Sequence, residues 1–80
     1  MLISYDSQAN AIYIKIKSGV PVYETLEFDT DIFVDLDING QLLGIELLDH
    51  NVESLQEIAD KYQVPDLRRV HPEKLQASFV

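Results

Sequence analysis

The sequence predicts an α+β domain: a four- to five-stranded antiparallel β-meander, one amphipathic helix packed on one face, and a C-terminal tail. Three observations carry that expectation. Apolar and polar residues alternate through 11–17 and again through 32–38, the period-two signature of half-buried strands. Asn39-Gly40 follows the second run, and Asn-Gly is the strongest short-range hairpin signal. After Leu48 the apolar spacing changes to three and four residues, which is the helical period.

Leu2 to Tyr5 forms a first short strand, and Asp6-Ser7-Gln8-Ala9-Asn10 supplies turn-forming side chains. In the second strand Ile12, Ile14 and Ile16 share one face. Ser18-Gly19 and Pro21 close it and open a third strand, Val22 to Phe28, which ends in a turn at Asp29-Thr30-Asp31. In the fourth, Ile32, Val34, Leu36 and Ile38 alternate with Phe33, Asp35 and Asp37. A two-residue type I′ turn at Asn39-Gly40 then pairs Ile38 with Gln41, Leu36 with Leu43, Val34 with Ile45 and Ile32 with Leu47. Slipping by one residue would turn that apolar set to solvent. The same register leaves Phe33, Leu42 and Leu48 on the outer face among Asp31, Asp35, Asp37 and Glu46. Apolar residues in that company suggest an association surface.

Val52, Leu55, Ile58, Ala59 and Tyr62 predict a helix over 52–63. Asn51 suits its N-cap, Asp49 and Glu53 the positive end of its dipole, and Glu57 precedes Lys61 by one turn. Pro65 stops it. Residues 1–64 thus read as a single α+β domain and 65–80 as a tail, with a further helical turn opened by Pro72. Arg68, Arg69 and Lys74 give the tail charge, while Val70, Leu75, Phe79 and Val80 give it apolar anchors. Such a tail is expected to dock on a neighbouring subunit or a partner.

Composition narrows the functional classes. A chain of 80 residues buries only about 60–65 % of the surface its unfolded form exposes. Small domains compensate with disulfides, metals or oligomerisation. No cysteine is present, so oligomerisation is the favoured remedy. The N-terminus lacks a signal-peptide pattern, and no apolar run approaches the roughly 18–20 residues of a membrane span; the expected compartment is the cytoplasm. The net charge of −8 is unevenly spread, since residues 21–60 hold eleven acids and no Lys or Arg. Nucleic-acid binding relies on Lys and Arg displacing counterions, so direct binding through this body is not expected. A basic protein partner is.

Asp35-Leu36-Asp37-Ile38-Asn39-Gly40, with Glu46 after it, satisfies the calcium-loop pattern D-x-[DN]-x-[DN]-G-x5-E. Its candidate ligands are Asp35, Asp37, Asn39 and Glu46, hard oxygens at alternate positions. A calcium loop needs flanking helices, whereas both flanks here alternate as strands, so neither metal nor cofactor is expected. As an acid–base set, Asp35 and Asp37 would stand about 6.5–7 Å apart on one strand face, with Glu46 on the partner strand. No nucleophile–histidine set or phosphate loop joins them, so no catalytic residue is assigned. His50 and His71 read as a helix-entrance and a surface residue.

Tyr5-Asp6, Asn10-Ala11-Ile12-Tyr13-Ile14, Val34-Asp35-Leu36-Asp37-Ile38-Asn39-Gly40 and Gly44-Ile45-Glu46-Leu47-Leu48 occur in that order. Over roughly residues 2–50 this resembles the short prokaryotic proteins grouped as domain of unknown function 2283. Asn10 stands where such sequences more often carry Asp. The resemblance implies a compact β-rich domain, with small toxin-like proteins as suspected partners of its members, and it assigns no catalytic residue. The expected function is a non-enzymatic, homo-oligomeric interaction domain, the acidic, antitoxin-like partner of a small basic protein. Two alternatives are a small-ligand or metal-binding module on the acidic hairpin face, and an enzyme with an inter-subunit site.

Overall fold

The computed structural model describes residues 1–49, 52 and 54–70. It contains strands β1 (Leu2–Asp6), β2 (Ala11–Lys15), β3 (Glu24–Asp29), β4 (Ile32–Leu36) and β5 (Leu42–Leu48), helix α1 (Leu55–Tyr62) and a 3₁₀ turn at Pro65–Arg69. The strands form one antiparallel sheet in the order β1-β2-β5-β4-β3, so the α+β architecture is as the sequence predicts. The meander runs in two pieces, β1-β2 and β3-β4-β5, joined where β5 pairs with β2. That join gives the centre of the sheet to β5, the strand with the longest buried run, Leu42 through Ile45.

One face of the sheet makes the core. Ile12 lies opposite Leu47 and Ile14 opposite Ile45, while β4 sets Ile32 and Val34 against the same two residues. All six are wholly buried. Leu55, Ile58 and Ala59 of α1 close over them, joined by Val52 and Leu67. The helix begins at Leu55 rather than residue 52. Ser54 occupies the N-cap position, but its side chain caps no helix amide. Its hydroxyl donates instead to Asp29 at 3.1 Å, which ties the helix entrance to the end of β3. Lys61 does not pair with Glu57; its ammonium stands 5.6 Å from the ring centroids of Phe28 and Tyr62. His50, Asn51 and Glu53 lie outside the described residues, as do 71–80 with His71, Pro72, Lys74, Leu75, Phe79 and Val80.

The hairpin register holds for most of its length and then changes. Ile32 pairs with Leu47, Val34 with Ile45 and Asp35 with Gly44, but Leu36 pairs with Leu42 across a bulge. The cause is the turn. Of Asn39 and Gly40 only the glycine has positive φ, at 79°, so a type I′ turn, which needs both, cannot form. The Gly40 amide donates to the Asp37 carbonyl, and the Asp37 amide to the Gln41 carbonyl, each at 3.0 Å. Three residues therefore make the connection, a type I turn followed by a left-handed glycine. The extra residue brings Leu42 into the core and leaves Ile38 at the tip, 74 % exposed. This corrects the expectation that Leu42 faces outward and that Ile38 joins the apolar face.

Packing continues past residue 64. Val64 is partly buried against the core and Leu67 completely so. Arg68 forms an ion pair with Asp60 on α1, so this charge is engaged within its own chain, while Arg69 is exposed. No helix among the described residues is long and apolar enough to cross a membrane.

Leu67→Ala should cost about 2–5 kcal/mol, the range for truncating a buried leucine. Ile38→Ala should stay within about 0.5 kcal/mol, as exposed positions do. Urea unfolding of both variants reads the difference, and the reverse order would mean that the turn and the 3₁₀ segment are misplaced.

Candidate functional site

The sheet face opposite the helix carries Tyr13, Asp35 and Glu46. Register aligns Ser4, Tyr13, Glu46, Phe33 and Glu27 in one row across all five strands. The next row is Leu2, Lys15, Gly44, Asp35 and Thr25. Asp35 has both carboxylate oxygens engaged: Tyr13 donates its hydroxyl at 2.7 Å and Thr25 donates at 2.6 Å. To reach Asp35, the Tyr13 ring crosses β5 directly over Gly44. A Cβ on that glycine would overlap the phenol oxygen and its ring carbon. Glycine in the middle of a central strand ordinarily weakens it; here it is the floor on which the ring lies.

Burial raises the Tyr13 pKa, reinforced by the hydrogen bond to Asp35 and by the charges of Asp35 and Glu46. All four causes act in the same direction, so the phenol remains a protonated donor. It is unsuited to exchange protons near neutrality, where general acids and bases must titrate.

The residues of the calcium pattern are put to separate uses. Asp35 lies on the open face as described. Asp37 is buried, and its Oδ1 accepts from the amides of Asn39 at 2.8 Å and Gln41 at 2.9 Å, holding the turn. The two aspartates therefore do not share a solvated face. Asn39 is exposed at the loop, and Glu46 sits half-buried in the row with Tyr13 and Phe33. Among the described residues, no group of three or more His, Asp or Glu side chains is arranged to hold a metal ion.

The association residues expected on the outer face fare unevenly. Phe33 and Leu48 are half-buried there, and Leu42 is in the core. The apolar surface lies elsewhere, at the end of the sheet. Val22, Tyr23 and Ile38 are 52 %, 68 % and 74 % exposed. With Val20, Pro21 and Asn39 they line a cleft of about 300 Å³ between the β2–β3 connection and the β4–β5 turn. Sequence reading missed this site because it placed Val22 and Tyr23 in a strand and Ile38 on the core face. Pro21 was the available signal, since a proline there discourages regular pairing.

The family model described as protein of unknown function (DUF2283) matches residues 2–50. Comparison with curated proteins gives no match, and neither does comparison with solved structures.

Two outcomes test the open face. The Tyr13 pKa is raised above its ordinary 10.0, so the folded state holds this proton more tightly than the unfolded chain. Its contribution is complete below pH 10 and is lost as pH rises beyond it. The stability difference between the parent and Tyr13→Phe should therefore shrink above pH 10; a difference constant to pH 11 would deny the linkage. Gly44→Ala should destabilise the parent by about 1–3 kcal/mol through overpacking and cost much less in a Tyr13→Ala background. Equal costs in a double-mutant cycle would show that the ring does not occupy the space above Gly44.

Proposed function

The chain belongs to the DUF2283 family, whose description names no activity, and we propose that it acts as a non-catalytic protein-interaction domain. Its partner is a small basic protein, and its role is that of the acidic, antitoxin-like half of a two-protein module. The observation that carries this reading is the cluster of Val22, Tyr23 and Ile38, exposed side by side around an apolar cleft. Large apolar side chains held in solvent beside a polar surround mark contact sites, and tyrosine is favoured at the centres of interfaces. Charge sets the kind of partner: eleven acids without Lys or Arg in residues 21–60 draw in a basic protein and repel nucleic acid.

The same cluster supports a second reading, self-association through the sheet end, in keeping with the small core of this chain. Ligand or metal binding on the hairpin acids has less support, because Asp35 and Asp37 already accept hydrogen bonds from the protein itself. For the enzyme reading, the phenol nearest the carboxylates is held as a donor by its raised pKa.

Replacing Val22, Tyr23 and Ile38 together by serine should leave the melting temperature within a few degrees of the parent. Purification from the native host, with mass spectrometry, should yield a small basic protein with the parent and not with the variant. Light scattering on the purified chain separates the two readings: a monomer mass leaves the basic partner, and a dimer lost in the variant favours self-association. Identical co-purifying proteins and identical masses for parent and variant would refute both.

A further inference from the structure

We propose that the free edge of β3 accepts an extended basic segment of the partner as a sixth strand. The inference rests on the protein-interaction reading and adds how and where a partner is held. Four features of the edge lead to it.

The first is the open edge itself. Among the described residues β3 pairs with β4 on one side, and the sheet order ends there. Its regular ladder covers Glu24–Glu27, after which the pairing shifts between Glu27 and Asp29. A strand edge offers main-chain donors and acceptors to any extended chain that can approach it.

A groove beside the edge receives side chains. Leu26 lies opposite buried Val34 yet is 41 % exposed, so this part of β3 is left uncovered. Between strand and helix runs a groove of about 290 Å³ with apolar lining from Leu26, Val34 and Tyr62 and acidic lining from Asp29 and Glu57, while the register turns the Glu27 side chain to the other face of the edge. Strand addition draws specificity from pockets that take alternate side chains of the added segment.

The groove also has the chemistry to hold a cation. The Lys61 ammonium lies 5.6 Å from the centroids of both Phe28 and Tyr62, a cation–π arrangement. Two acids, Asp29 and Glu57, face one lysine in this groove, and Glu27 lies on the other side of the same edge, so a net negative field meets an incoming Lys or Arg on either face.

Charge finally selects the occupant. A second copy pairing edge to edge would bring Glu24, Glu27 and Asp29 against the same three acids, and like charges across a strand pair are destabilising. Acidic edges of this kind guard against self-pairing. The same acids favour a strand in which Lys or Arg alternates with aliphatic residues, its cations meeting the carboxylates and its aliphatic side chains meeting Leu26.

The test titrates the full chain with a capped eight-residue peptide of alternating lysine and valine, followed by calorimetry and amide chemical shifts. Binding is expected, with shifts and slowed amide exchange centred on Glu24–Glu27. Two further peptides carry N-methyl groups on every lysine amide or on every valine amide, which preserves charge and side chains. One of the two should bind about tenfold or more weakly, because strand pairing uses one alternate series of amides. Glu27→Lys with Glu57→Lys, both at exposed positions, should weaken the parent peptide to a similar extent. Strand addition is overturned if both methylated peptides bind as well as the parent peptide, if the shifts map to Val22, Tyr23 and Ile38, or if millimolar peptide does not bind. Any of these, alongside a basic partner still lost in the serine variant, removes the strand addition and leaves the interaction reading standing.

Discussion

Among the described residues one short helix has to cover a five-stranded sheet, and most of this structure follows from that mismatch. Strands spaced about 4.8 Å apart make a five-stranded sheet roughly 19 Å across, whereas a helix with its side chains is about 10–12 Å wide. The eight residues of α1 therefore seal only the middle of the sheet. Ile12, Ile14, Ile45, Leu47, Ile32 and Val34 of the three central strands are wholly buried. On the same face, Ile3 and Tyr5 of β1 are half-covered and Leu26 of β3 is exposed. The 3₁₀ turn extends the cover through one leucine, Leu67, and the ion pair from Arg68 to Asp60 links that segment to the helix. Edge strands left partly bare are the natural places for another chain to attach.

The opposite face answers a different demand. With no helix from the described residues across it, it must combine strand-forming bulk with tolerance of water. Tyr13 does so by lying flat over Gly44 with its hydroxyl on Asp35, shielding backbone while presenting polar atoms. Thr25 completes the second carboxylate oxygen. These groups sit on β2, β4 and β3, so the network fastens three strands by side chains as well as by the ladder. The carboxylates that resemble a ligand set in the sequence are thereby acceptors for the protein's own donors. Hydrogen bonds to an ionised acceptor are among the stronger ones available to a small domain.

In the proposed interaction the acids would also govern association. Acidic side chains on β3 discourage pairing with a like edge, and the same charge attracts a basic chain. For that proposed partner the apolar cleft at the sheet end would supply desolvation where charge alone would give only long-range attraction. The two surfaces adjoin through β3, whose start follows Tyr23 directly and whose end reaches the helix entrance at Ser54.

Alternation and helical spacing determine the elements because side-chain period is a local property of backbone geometry. They made β2, β4, β5 and α1 legible, together with the pairing of Ile32 with Leu47 and Val34 with Ile45. What lay beyond them depended on contacts between segments distant in the chain. Asp37 reads as one more polar residue in an alternating run until its carboxylate is seen holding the amides of Asn39 and Gln41. That choice of turn sends Leu42 inward and Ile38 outward. Leu67 looks like part of a tail until the shortness of α1 gives it a place in the core. The joining of β2 to β5, and hence which strands lie at the edges, carries no local signal. Period tells each residue which face of its own strand it occupies, and only the assembled sheet decides which strands are covered, which are left open, and which apolar side chains remain exposed.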